Sequence, residues 1–184
     1  MTQRFQSWWV QRSPIEKVHT RLLTLIVAAF LIHFVAYSAF FIEDAAITFS
    51  YARNFAEGAG LVTYTGGERV EGYSNPSWTF LLALFYLLKV PPFFAAKLLG
   101  ALFGALTLPF VYGIAKRCRP EAEDHIPLIP PLLLAGSSTY TIWAASGLEN
   151  SLFNLFLAAG LYRVLVESEK PDSKPLSALC FFGL

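Results

Sequence analysis

The chain has 184 residues, of which 55% are hydrophobic and only 15% are charged, and its mean hydropathy is +0.49. So much apolar surface excludes an ordinary soluble globular domain. The formal net charge of +1 excludes the strongly basic surface typical of nucleic-acid-binding proteins. We therefore expect an all-α integral membrane protein whose partners include membrane lipid and no nucleic acid.

The first long apolar run predicts transmembrane helix 1 at 22–41. This run is uncharged and 20 residues long, about the length that a helix needs to cross the hydrocarbon core. A cleaved signal peptide is the alternative, because Ala36, Tyr37 and Ser38 resemble a small-residue cleavage site. However, the apolar region of a signal peptide is usually only about 7 to 15 residues long. A retained helix therefore fits better, and it follows a cytoplasmic N-terminus at 1–21.

Further apolar segments predict about four transmembrane helices in all, plus a truncated fifth. The later helices are expected at 93–115, 126–143, 152–166 and 176–184. The connections between them are a loop at 116–125, a turn at 144–151 and a loop at 167–175.

The apolar segment 78–88 decides the topology, because it is too short for a span. Apolar runs of about 10 to 14 residues are more often re-entrant or interfacial. If this segment is re-entrant, residues 42–92 form the first outer (periplasmic) loop and the turn at 144–151 is also outside. Most lysines and arginines then lie on the cytoplasmic side, as the positive-inside rule requires. They are Arg4, Arg12, Lys17, Arg21, Lys116, Arg117, Arg119, Arg163, Lys170 and Lys174.

We expect the first outer loop to be folded. Residues 44–57 predict an interfacial helix, because three apolar side chains recur every four residues and share one helical face. These side chains are Ile47, Tyr51 and Phe55. The stretch 61–71 predicts a hairpin, because Gly66 and Gly67 separate two short runs typical of strands.

Two of the acidic sites on the predicted outer side lie next to the ends of spans. Glu43 and Asp44 follow the first span, and Glu149 follows the third. Acidic residues at the start of a helix accept hydrogen bonds from its free N–H groups, and such capping accounts for Asp44 and for Glu149. Alternatively, a carboxylate at headgroup height can reach a substrate whose reactive carbon is carried by a lipid phosphate. The sequence leaves both interpretations open.

Two sequence blocks resemble the GT-C membrane glycosyltransferases. The first is 43–78, EDAAITFSYARNFAEGAGLVTYTGGERVEGYSNPSW, and the second is 146–150, SGLEN. The first block is most similar to the arabinofuranosyltransferase-like branch, which is related to lipid A aminoarabinose and protein mannosyl transferases. The resemblance implies an enzyme of the inner membrane with its active face outward. It would move a sugar from a polyprenyl-phosphate donor to a hydroxyl of a glycan, lipid or protein acceptor.

The resemblance also implies roles for individual residues. Asp44 matches the carboxylate that acts as the catalytic base, and Glu43 matches its acidic neighbour. The implied substrate-binding residues are Glu149, Arg53, Arg69, Glu71, Tyr73, Asn75 and Trp78. Many members have arginine where this chain has Ser50, so Arg53 or Arg69 would have to contact the phosphate. The resemblance implies no certain cofactor and leaves a divalent metal open.

Two other functional classes remain as alternatives. Members of the family usually have eight or more spans, so we expect this chain to be an N-terminal part that is inactive alone. It would otherwise be a noncatalytic membrane protein that holds a polyprenyl phosphate without turning it over. A transporter is the third interpretation, and it rests on His33 and Lys97 in otherwise apolar segments.

Overall fold

The structure, a computed structural model, describes residues 13–73, 75–120, 124–170 and 174–183. The described residues form helices and no strand, which confirms the all-α fold class. The α-helices are α1 Pro14–Ala36, α2 Glu43–Ala56, α3 Pro76–Leu87, α4 Pro92–Cys118, α5 Ile129–Gly136, α6 Ser138–Ala144, α7 Asn150–Glu169 and α8 Leu176–Phe182, and a short 3-10 helix spans Ile126–Leu128. Parts of the predicted segments 1–21, 116–125, 167–175 and 176–184 lie outside the described residues.

Three helices, α1, α4 and α7, are long and apolar enough to cross a membrane. They correspond to the spans predicted at 22–41, 93–115 and 152–166. The bounds of the first were wrong, because α1 starts eight residues earlier, at Pro14, and ends at Ala36. The Ser13 hydroxyl accepts the Glu16 N–H and the Glu16 carboxylate accepts the Ser13 N–H, which fixes this start. Residues 37–39 form a turn, so the apolar run continues beyond the helix.

The segment 126–143, predicted as one transmembrane helix, is divided into shorter helices. The 3-10 helix leads into α5, and the chain then breaks at Ser137 before α6 begins. Ser137 adopts extended backbone angles, and its hydroxyl accepts the Tyr140 N–H at 3.3 Å. This side chain caps a new helix, which is why the apolar run does not continue as one.

Helix α3 has 12 residues, and its length of about 18 Å is well short of the roughly 30 Å hydrocarbon core. It lies against α2 and α4, consistent with the expectation that 78–88 is not a complete span. Pro76 starts this helix, and the Asn75 side chain accepts the Trp78 N–H at 3.0 Å. These two residues fix where α3 begins.

The predicted hairpin at 61–71 is wrong. The Gly67 N–H donates to the Tyr64 oxygen at 2.9 Å and closes a turn, but the described residues of this loop contain no strand. Each of the two segments that flank the turn is hydrogen-bonded to α2 instead of to the other segment. The Val62 oxygen accepts from Asn54 Nδ2 at 2.8 Å, and the Val70 oxygen accepts from the Tyr51 hydroxyl at 2.7 Å. Hydrogen bonds to α2 therefore hold the two segments in place of the hydrogen bonds between strands that a hairpin would have.

Helix α4 packs in both hydrophobic clusters of the described chain. Its Leu108 belongs to a cluster with residues of α1, α5 and α6, and its Leu99 belongs to a second cluster with residues of α2, α3 and α7. Close packing requires Gly100, because a Cβ there would lie 2.2 Å from the Ala144 oxygen. This approach brings the end of α6 against α4, near the start of the second resemblance block.

Candidate functional site

The two candidate catalytic carboxylates lie in the first turn of α2. Ile42 occupies the N-cap position and makes no side-chain capping bond, so Glu43 and Asp44 are the first two helical residues. Both are exposed. No carboxylate therefore caps α2 from the N-cap position, although negative charge in a first turn still interacts favourably with the helix dipole.

Backbone contacts bring the second motif against the start of α2. The Ile42 N–H donates to the Ser146 oxygen at 3.0 Å. Gly147 follows with φ +94°, and a Cβ at this position would lie 3.0 Å from Ala45 Cβ and 3.1 Å from the Phe49 ring. A side chain there would meet both strain and crowding. We call this contact between 42–49 and 146–147 the motif junction.

Trp78 closes the motif junction from the end of the first block. Its side chain is fully buried, and its indole Nε1–H donates to the Gly147 oxygen at 3.1 Å. The ring also contacts Phe103 of α4 edge-on, with centroids 6.4 Å apart. The structure thus joins the two blocks that the sequence separates by 67 residues between Trp78 and Ser146. Trp78 acts there as a buried support.

Lys97 is a residue of this region that the sequence analysis did not place in the site. Its ammonium group donates to the Phe40 oxygen and to the Ala145 oxygen. These carbonyls precede Glu43 and Ser146 by three residues and one residue, so Lys97 links the segments that carry the two motifs. The only sequence signal was a lone lysine in an apolar segment.

Glu149 occupies the N-cap position of α7, as the capping interpretation expects. Its side chain makes no capping hydrogen bond to this helix, however. It is half-buried and lies two residues after Gly147, beside the motif junction. The chain therefore brings Glu149 to the same region as the first turn of α2.

Arg53 lies on the other side of α2 from Asp44. Nine residues separate them, which is about two and a half helical turns. The Tyr86 hydroxyl donates to the Glu57 carboxylate at 2.6 Å, which raises the pKa of Tyr86, and the Arg53 charge opposes that shift. Arg53 is thus near the Glu57–Tyr86 pair at the far end of α2 and is not brought to Asp44.

Arg69, Glu71 and Tyr73 line a separate pocket of about 590 Å³ beside the end of α2. The three residues of the predicted interfacial face of α2 differ in burial. Tyr51 is fully buried beneath the loop, whereas Ile47 and Phe55 are each 43% exposed. The pocket and the motif junction therefore occupy different parts of the same helix.

The divalent metal left open by the resemblance finds no complete ligand set in the described residues. They contain no group of three or more His, Cys, Asp or Glu side chains arranged to hold a metal ion. Two carboxylates in the first turn of a helix are an incomplete site by themselves.

Comparisons of this chain with protein-family models, with curated proteins and with solved structures found no match.

Proposed function

We propose that this chain takes part in transferring a sugar from a polyprenyl-phosphate donor to a hydroxyl of a cell-envelope acceptor, on the outer side of the inner membrane. The supporting observation is the motif junction. Ile42 binds Ser146, and Trp78 binds Gly147, so the two blocks that resemble GT-C motifs lie together. Three of their carboxylates, Glu43, Asp44 and Glu149, belong to adjoining segments.

Asp44 is the proposed general base. Its side chain is exposed, and a carboxylate within reach of a hydroxyl can accept its proton. The acceptor hydroxyl oxygen attacks the anomeric carbon while its proton passes to the Asp44 carboxylate. The bond between that carbon and the phosphate oxygen breaks, and the polyprenyl phosphate leaves with the electron pair. A positioned base of this kind accelerates such a transfer by roughly 100 to 10,000-fold.

Asp44→Asn tests this proposal in the chromosomal copy of the gene, so that the protein is made as the host makes it. The change keeps the size of the side chain and removes its basicity. We expect normal membrane insertion and sugar transfer to the envelope reduced by roughly 100-fold or more. The measurement is incorporation of labelled sugar from the polyprenyl-phosphate donor into isolated membranes.

The matched control is Glu68→Gln, which neutralises an exposed acidic residue of the same loop. It should transfer sugar at the wild-type rate. If Asp44→Asn stays within a few-fold of this control, Asp44 is not the base, and Glu43→Gln and Glu149→Gln then identify or exclude the other two. Normal transfer by all three variants contradicts the proposed enzymatic function.

The two alternative functions, a noncatalytic protein and a transporter, depend on different residues. A noncatalytic protein that holds a polyprenyl phosphate predicts that Asp44→Asn leaves the envelope glycans unchanged. The transport alternative rested on His33 and Lys97. His33 Nδ1 lies 3.1 Å from Thr141 Oγ1 and 3.2 Å from the Ala135 oxygen, while Lys97 binds two carbonyls. Both groups are thus engaged in hydrogen bonds within the protein, which gives transport no specific support.

A further inference from the structure

Among the described residues, the lining of the pocket beside the end of α2 comes from Phe55 of that helix and from the loop that follows it, 60–73. Its polar lining comes from Arg69, Glu71 and Tyr73, and its apolar lining includes Phe55 and Leu61. None of the lining residues belongs to the three helices long enough to cross a membrane. Its volume of about 590 Å³ falls within the range of small-molecule sites, roughly 300 to 1,000 Å³.

Two buried side chains of α2 hold the walls of this pocket. Asn54, which is 1% exposed, donates to the Val62 oxygen and fixes the first wall. Tyr51, which is fully buried, donates to the Val70 oxygen and fixes the second. Both walls are therefore attached to one helix, so the pocket is formed before any ligand arrives. Such preorganisation lowers the entropic cost of binding.

The lining suits a neutral, hydroxyl-rich ligand. Within the described residues, the guanidinium of Arg69 and the carboxylate of Glu71 make no ion pair and no side-chain hydrogen bond, so both are available. Arginine only donates and an ionised carboxylate only accepts, whereas a sugar hydroxyl does both. The rings of Phe55 and Tyr73 provide apolar surface for the C–H faces of a sugar. Arg69 would attract a phosphate and Glu71 would repel it, so the pair gives an anion little net attraction.

We propose that this pocket binds a neutral saccharide portion of the acceptor, at a distance from the reacting hydroxyl. This inference rests on the proposed function for the identity of the ligand as the acceptor. Asp44, Tyr51 and Phe55 share one face of α2, because they are spaced seven and four residues apart. Phe55 lies about 16 Å along the helix from Asp44. The acceptor is therefore an oligosaccharide, because a single sugar ring cannot reach from the pocket to Asp44.

The experiment measures binding and does not depend on turnover. The protein is purified from its host in detergent. The probe is the neutral oligosaccharide fraction released from the host envelope by mild acid, and binding is followed by saturation-transfer NMR. We expect Arg69→Gln and Glu71→Gln each to weaken binding by about tenfold or more, because each removes a charged hydrogen-bonding partner. The loop control Glu68→Gln should bind as wild type does.

Thermal denaturation of each variant checks that the loop is still folded, and we expect no change because Arg69 and Glu71 are exposed. No binding by the wild-type protein would overturn the proposal, as would unchanged binding by both variants. Displacement of the saccharide by millimolar inorganic phosphate would also overturn it and reassign the pocket to the donor phosphate.

The outcomes separate this pocket from the proposed reaction. If saccharide binding needs Arg69 and Glu71 but the Asp44, Glu43 and Glu149 variants transfer sugar normally, the proposed pocket is supported and the proposed enzymatic function is rejected. If sugar transfer needs Asp44 but the Arg69 and Glu71 variants bind the saccharide normally, the enzymatic function is supported and the proposed pocket is rejected.

Discussion

Trp78→Phe is expected to destabilise the motif junction. The change removes the indole N–H and leaves the buried Gly147 oxygen without that donor. An unsatisfied buried acceptor costs about 1 to 3 kcal/mol. Because Trp78 is fully buried, the smaller phenyl ring also leaves a cavity, which adds about 1 kcal/mol. We expect the free energy of unfolding to fall by about 2 to 4 kcal/mol.

The measurement is a denaturant titration of the purified protein in detergent, followed by circular dichroism at the helix band so that tryptophan fluorescence plays no part. Trp143→Phe is the matched control, because Trp143 is 40% exposed at the end of α6. Its free energy of unfolding should change by no more than about 0.5 kcal/mol. If the two variants are equally stable, the Trp78 bond does not support the junction and does not hold the two motifs together.

Two further predictions concern Lys97 and the topology. Lys97→Met removes the donor to the Phe40 and Ala145 oxygens and should lower the free energy of unfolding by about 1 to 3 kcal/mol. The control Lys89→Met, at an exposed turn, should leave the free energy of unfolding unchanged. Equal effects of the two substitutions would show that Lys97 does not stabilise the contact between these two segments. In a variant with Cys180 replaced, an impermeant thiol reagent applied to intact cells should miss Cys118 and label a Glu68→Cys position. Labelling of Cys118 alone would reverse the predicted sidedness.

The class of the fold was predictable from the sequence for a simple reason. A long uncharged run cannot be solvated in water, and in lipid it must satisfy its own backbone hydrogen bonds, so 22–41, 93–115 and 152–166 indicated helices. The start of α3 was also encoded locally, since Asn75 and Pro76 form a cap with their own neighbours. Hydropathy alone could not find Ser13 as the start of α1, because caps depend on particular side-chain bonds.

The arrangement of the candidate site was decided by tertiary contacts. The glycines at 66 and 67 do form a turn, but the arms around it bind Asn54 and Tyr51 of α2, and no local pattern could predict that choice. Helical periodicity could place Arg53 opposite Asp44 on α2, but it could not bring Gly147 against Ala45. Sequence by itself determined which segments are apolar and contain helix, because those properties depend on neighbouring residues, but it did not show the break at Ser137. Only the folded chain decided which distant groups meet, because Lys97, Trp78 and Gly147 act through partners far away in the sequence.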